Sequence, residues 1–288
     1  MSNKQKFNFV KRGKVREIFE SENKDQLLII ATDRISAFDC VLPTPIPQKG
    51  VMLTQISNHW FKLTKHIIDN HIIQEDPSNI DVDMHISDLA RRSVIVKKAE
   101  SLPIEAIVRG YITGSGLKEY QKKGTVSGIQ LAKGLVESQK LREPLFTPST
   151  KAPVGEHDEN ICFDDVVKLI GQDVAQQVKE VSLKLYNFAA NYAESVGIII
   201  ADTKFEFGLL DGKLILIDEL FTPDSSRFWP MDTYKAGESQ PSYDKQYVRD
   251  YLNSLSWDKT PPAPELPEDV VTKTKEKYSE AVRRLLKK

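Results

Sequence analysis

The stretch "ADTKFEFG", residues 201–208, sets Asp202, Lys204 and Glu206 on alternate positions. Alternate side chains of an extended strand share a face, so two carboxylates and an ammonium point the same way. A second run, "LILIDELFTPDSSRFW", ends similarly, with Asp218 and Glu219 after apolar residues. Asp211-Gly212 between the runs is a strong hairpin signal, and a hairpin carries Asp218 across to the first group. Carboxylates gathered on a strand pair offer the hard oxygen ligands that Mg²⁺ takes, as a Mg²⁺–nucleotide site requires. The plainer alternative is a solvated salt-bridge network around Lys204.

Other stretches suit anions. In "KRGKVREIFE", Lys11, Arg12, Lys14 and Arg16 surround Gly13; a glycine turn between strands lets backbone N–H groups approach a phosphate, and the cations neutralise it. "IVRGYITGSG" supplies Arg109 and Ser115 among Gly110, Gly114 and Gly116, ahead of a helix. An arginine fork beside a helix N-terminus receives phosphate or carboxylate, and a mere turn needs one glycine, not three. "ATDRISAFD" packs Asp33, Arg34, Ser36 and Asp39 behind an apolar strand, where sites often lie. "FTPSTKAPVGEHDENI" holds Ser149, Thr150, Lys151, His157, Asp158 and Glu159, and "PDSSRFWP" adds Asp224 and Arg227. There is no G-x-x-x-x-G-K-[ST] and no G-x-G-x-x-G, which excludes the usual P-loop and Rossmann arrangements.

The elements that position these residues are partly visible. "QLLIIATD" and "RRSVIVKKAE" read as buried strands. Between them Leu53, Ile56, Trp60, Leu63 and Ile67 fall on one helical face, with Thr54 or Ser57 as its expected start. "PIEAIVRGYITGSG" reads as a strand, and "SGLKEYQKKG" as a short helix closed by Gly124. Residues 126–161 show no strong periodicity; a loop that long is usually functional or disordered. Residues 163–197 have long helical character ended by Gly197, and a proline-rich linker, "TPPAPELP", precedes a last helix with acids early and bases late. Strands first and mixed elements later predict two lobes with a cleft between them.

At 288 residues, with 40% hydrophobic and 28% charged residues and a net charge of -1, the composition is that of a globular protein of one or two domains. The near-neutral balance argues against nonspecific nucleic-acid binding. Two cysteines, Cys40 and Cys162, are too few for a disulfide scaffold or a structural zinc site. The basic N-terminus lacks the apolar stretch of a signal, and no apolar run approaches the ~20 residues of a membrane span, so a cytoplasmic location is expected.

Taken in order, "GKVREIFE", "ATDRISAFD", "IPQKG", "EAIVRGYITGSG", "FTPSTKAPVGEHDENI", "ADTKFEFG" and "DELFTPDSSRFWP" resemble the SAICAR synthetase family of purine biosynthesis, in its longer form. The resemblance spans Gly13 to Pro230 and is specific as a set. It implies a two-lobed α+β or α/β fold. A kinase-like β-rich lobe would cover 1–103, an ATP-grasp-like α/β lobe 104–258, and the linker and terminal helix 259–288. It implies a carbon–nitrogen ligase that uses ATP and Mg²⁺ to join L-aspartate to carboxyaminoimidazole ribonucleotide through an acyl phosphate. Arg12, Gly13, Lys14, Val15 and Arg16 would then cover the ATP phosphates. Lys97 to Ser101, including Ala99, would meet adenine, and Glu206 and Asp218 would hold Mg²⁺. Arg109, Ser115 and Arg227 would receive the ribonucleotide phosphate, with Lys151 also on the substrate side. Asp33, Ser36 and Asp39 would lie by its carboxylate and the incoming aspartate. Lys14 and Lys204 would offset the charge on the transferring phosphoryl, and Asp202 and Asp39 are the candidates for taking the amine's proton. The resemblance leaves monomer favoured over homodimer. Leu117 and Arg142 depart from the family pattern at positions that are not expected ligands.

Two other classes compete. A kinase shares the basic glycine turn and the acids, but H-R-D and D-F-G are absent, and a protein kinase needs both. An inactive nucleotide-binding scaffold would be expected to lose the metal carboxylates first, and both are present.

Overall fold

The computed structural model describes residues 4–151 and 158–287; His157 lies outside them. The chain begins with β1 (Gln5–Arg12), β2 (Arg16–Ser21) and β3 (Gln26–Ala31), each antiparallel to the next. A two-strand ribbon, β4 (Ser36–Ala37) and β5 (Cys40–Val41), leads into helix α1 (Lys49–Thr64). Strands β6 (Ile72–Glu75), β7 (Ile80–Asp81) and β8 (Ser93–Lys97) complete a six-stranded sheet in the order β6-β8-β3-β2-β1-β7. Phe7, Phe19, Leu28, Ile30 and Ile95 bury one of its faces.

Helix α1 starts earlier than Thr54 or Ser57, and the reason is a cap from far along the chain. Asp33 accepts the backbone N–H of Gly50 at 3.0 Å and of Gln48 at 3.2 Å, satisfying donors that the first turn leaves unpaired. No local side chain caps the helix, so the usual sequence signal is missing.

The second sheet follows. Strand β9 (Glu100–Ser101) pairs with the far end of a later strand, and β10 (Ile104–Tyr111) runs into α2 (Gly114–Lys123), closed by left-handed Gly124 as expected. After the ribbon β11 (Thr125–Val126) and β12 (Ile129–Gln130) come β13 (Lys140–Phe146) and β14 (Ser149–Thr150), both paired with β10. The region without periodicity thus contains an edge strand, β13, whose residues are exposed or half-buried up to Phe146 and give no alternation to read. The long helical run is two helices, α3 (Phe163–Ile170) and α4 (Gln172–Ser195), broken at Gly171. Strand β15 (Ile198–Leu210) then forms the expected hairpin with β16 (Lys213–Ile217), turning at Asp211 and Gly212, both left-handed. Strand β17 (Ser226–Pro230) and helices α5 (Gln246–Ser254) and α6 (Glu268–Leu285) finish the chain.

With six α-helices among the described residues, and sheets there that are antiparallel apart from β1 beside β7, the fold is α+β. Its largest core lies under the second sheet, where Val108, Ile200 and Phe205 meet Ile56 and Trp60 of α1, Leu185 of α4 and Leu285 of α6. The proline-rich stretch is packed: Leu266 and Val270 are buried with Ile35 and Leu252. None of the helices among the described residues is long and apolar enough to cross a membrane.

Candidate active site

Strand β15 organises the site. Asp202 lies opposite Arg109 of β10, and a register irregularity against β17 falls between Ile200 and Thr203. Arg109 is buried; it donates to Asp202 at 2.9 Å, to Thr147 at 3.0 Å and to Ser115 at 3.0 Å. Arg227 of β17 donates to the same Asp202 oxygen. Asp202 is therefore the counter-ion that spaces two guanidinium groups, which suits it poorly for a base. Burial lowers the pKa of Arg109 and Asp202 opposes that.

The glycines beside these arginines have separate reasons. At Gly114 (φ +56) a Cβ would stand 2.3 Å from an Arg227 nitrogen, so glycine admits that side chain. At Gly110 a Cβ would stand 1.9 Å from the Tyr186 hydroxyl, which is buried and donates to Ile200 at 2.6 Å. Of the expected anion-site glycines, Gly110 thus serves packing.

These residues line an opening of about 690 Å³, within the size range of ligand sites, that also takes in Lys204, Asp224, Ser225, Lys245 and Arg249. Five cationic side chains face two carboxylates there, the balance of an anion receptor. Lys204 is held by Glu105; burial would lower its pKa, but Glu105 outweighs burial and raises it. Burial pushes Lys245 down to about 8, with Asp224 opposing. Asp224 is clamped by buried Lys49 at 2.6 Å and by the Tyr278 hydroxyl of α6 at 2.7 Å.

Lys245, Arg249, Lys49 and Glu105 were not among the expected ligands. In "YDKQYVRDYL" the four-residue spacing of Lys245 and Arg249 was a readable sign of one shared helix face. Lys49 and Glu105 carry no such local signal.

Further along the same face of β15, Glu206 sits opposite Ile217, next to Asp218. Burial, then the charge of Asp218, raises the pKa of Glu206, while Lys151 binds it. Burial would raise Asp218 too, but Arg16 outweighs it and holds Asp218 low. Arg16 bridges Asp218 and Glu219, the latter at 2.7 Å. A second cavity, of about 440 Å³, opens here between the first sheet and α1, lined by Val15, Ile29, Val94, Leu53 and Phe61, with Arg16, Asp218 and Glu219 among its walls.

The remaining expected residues divide. Lys97, Ala99 and Ser101 lie where the chain passes from β8 to β9, from one sheet to the other, and Ser101 accepts from Lys151 at 3.2 Å. Lys14 pairs with Asp39 at 2.6 Å, and Ser36 lies in the small ribbon. Arg12 is exposed and donates to the buried Glu17 at 3.0 Å. Asp33 is spent on α1 and on Arg92, at 2.8 Å, a structural role that needs no substrate to explain it.

The SAICAR synthetase family model matches residues 9–264. The chain belongs to that family. Phosphoribosylaminoimidazole-succinocarboxamide synthase of Thermodesulfovibrio yellowstonii is 59% identical over 278 residues, 95% of this chain and 94% of the relative. The same enzyme of Geobacter sulfurreducens is 56% identical over 276 residues, covering 95% and 93%. Among solved structures, SAICAR synthase from Saccharomyces cerevisiae complexed with SAICAR superposes with a TM-score of 0.86 at 44% identity, covering 97% of this chain and 94% of that one. A type-2 SAICAR synthetase in complex with ADP gives a TM-score of 0.71 at 26% identity, covering 96% and 97%.

Proposed function

We propose that the chain joins L-aspartate to carboxyaminoimidazole ribonucleotide at the expense of ATP, giving SAICAR, ADP and phosphate. The observation that carries this reading is that one face of β15 leads from the cationic opening at Asp202 through Lys204 to the acidic pair Glu206 and Asp218. An anionic substrate and a metal–nucleotide would thus lie side by side. The family membership and the ADP-bound relative support the nucleotide half.

Arg109, Ser115 and Arg227 hold the ribonucleotide phosphate, joined by Arg249, and the slot under the first sheet takes adenine near Lys97, Ala99 and Ser101. Residues 1–103 then chiefly serve the nucleotide and 104–258 the ribonucleotide. Glu206 and Asp218 are the fitting Mg²⁺ ligands. Their oxygens are hard, two half-buried like charges gain from a cation, and Mg²⁺ completes its shell with water and phosphate oxygens. When bound, the ion offsets charge on the phosphates.

A carboxylate is a poor electrophile. Its oxygen attacks the γ-phosphorus and ADP leaves, forming the acyl phosphate; the aspartate nitrogen then attacks the acyl carbon, phosphate leaves, and the amine loses a proton. Lys204 and Lys14 face the charge that builds up on the phosphoryl group, and the fixed arginines hold the ribonucleotide in line. With Asp202 clamped, Asp39 is the residue we place beside the incoming aspartate.

The test is ADP release from ATP, Mg²⁺ and carboxyaminoimidazole ribonucleotide, with and without L-aspartate, and the product's mass. Aspartate-dependent ADP and the succinocarboxamide mass are expected; ADP formed equally without aspartate would return the kinase reading.

A further inference from the structure

We infer that Arg34 is a positioning residue for the nucleotide, fixing the Gly13–Arg16 turn by its carbonyl groups so that the N–H groups of Lys14 and Val15 face a phosphate. The inference rests on the reading that this turn meets ATP.

Arg34 follows β3 and reaches back across the turn. Its Nε donates to the Lys14 carbonyl at 3.1 Å, and its Nη2 to the carbonyls of Gly13 at 3.0 Å and Arg16 at 3.3 Å. The remaining nitrogen, Nη1, binds Glu17 at 2.7 Å. Glu17 is 2% exposed, so the anchor is rigid. The carbonyl between, that of Val15, accepts both the N–H and the hydroxyl of Thr32, at 3.0 and 2.8 Å. Four successive carbonyls of the turn are therefore tied to protein.

A trans peptide points its N–H opposite its C=O. Tying the carbonyls of Gly13 and Lys14 to Arg34 sends the next two N–H groups, of Lys14 and Val15, to the other side of the turn. Among the described residues neither donates to a protein group. Neighbouring N–H groups aimed to one side make an anion-binding concavity, and Val15 and Arg16 line the cavity there. Four of the five guanidinium N–H groups of Arg34 are engaged with protein, so the turn is where it acts. Lysine cannot reproduce this fork, because an ammonium is a point charge without the planar set of donors.

The test is calorimetric titration of the full chain, wild type and Arg34→Ala, with adenosine, ADP, Mg²⁺–ATP and the ribonucleotide. ADP and ATP affinity should fall about tenfold or more, since hydrogen bonds to a charged group are lost. Adenosine and ribonucleotide affinity should hold. Added guanidinium ion should restore part of the loss, and Arg34→Lys should not. Equal weakening of adenosine and ATP, or ATP binding unchanged, would overturn the inference. A wild-type chain that bound no ATP would instead remove the underlying nucleotide reading. Should Arg34→Ala fail to fold, Glu17→Gln loosens the anchor with little change of shape, and a smaller loss confined to the phosphorylated ligands is expected.

Discussion

The two ends of the working face of β15 are built in opposite ways. At Asp202 the carboxylate and Arg109 are buried and each charge is oriented by neighbours: Arg109 is fixed by three side chains, and Gly114 leaves the space that Arg227 fills. At Glu206 and Asp218 the carboxylates are matched by single cations, Lys151 and Arg16, and the lysine side chain is 37% exposed. On the proposed reading, the first end is a receptor finished before its ligand comes. The second is an acidic pair held in check by cations that could equally serve phosphate oxygens. Stability should therefore depend on the first end and turnover on the second.

The sharpest way to break this contrast is a pair of variants. Arg109→Met leaves Asp202 underpaired inside the protein, and losing one partner of a buried pair costs roughly 3–5 kcal/mol. Its Tm and its affinity for the ribonucleotide should both fall steeply, by thermal scanning and titration. Glu206→Gln removes an anion whose charge is already disfavoured by burial; it should keep its Tm while Mg²⁺-dependent turnover drops on the order of a hundredfold. Wild-type turnover in that variant would detach Glu206 from the metal.

A smaller effect separates two left-handed glycines. Gly114→Ala strains the backbone and also drives a methyl into Arg227, whereas Gly212→Ala, in the hairpin turn, meets nothing within 4 Å. Each should lose about 1 kcal/mol of stability from its backbone conformation. Only Gly114→Ala should also raise KM for the ribonucleotide, and equal KM values in the two would show that Arg227 does not hold the ligand.

A further test, on the joint between the sheets, is pH. Burial pushes His71 down to about 4 from an ordinary 6.5. Above 6.5 both folded and unfolded chains hold it neutral, and its contribution is complete. As pH falls from 6.5 towards 4, the unfolded chain takes up the proton first, so stability is lost across that window, on the order of 3 kcal/mol in all. His71→Leu should flatten that part of the Tm–pH curve; an identical slope would mean that His71 titrates normally.

Sequence reasoning reached the features that depend on neighbours in the chain. The alternation at Asp202, Lys204 and Glu206, the Asp211-Gly212 turn and the closure of α2 at Gly124 are local, and each was legible. It failed where the partner was distant. Asp33 caps α1 from 17 residues before Gly50, so the start of the helix carried no mark of its own. Lys49 carried no local signal because its partner carboxylate, Asp224, is 175 residues away. The edge strand β13 hid for another reason: a strand with one free side and much exposure has no apolar face to advertise.

The passage between the sheets has a mechanical meaning. Asp69 and His71 exchange backbone hydrogen bonds with Leu216, at 3.0 and 3.1 Å, and Lys97 donates to His71 at 2.8 Å. The two sheets are bound along a shared spine, as the boards of a book are sewn to one back. On the proposed reading, the boards that hold substrate and nucleotide would keep one register, since their free edges can swing only as far as that stitching bends.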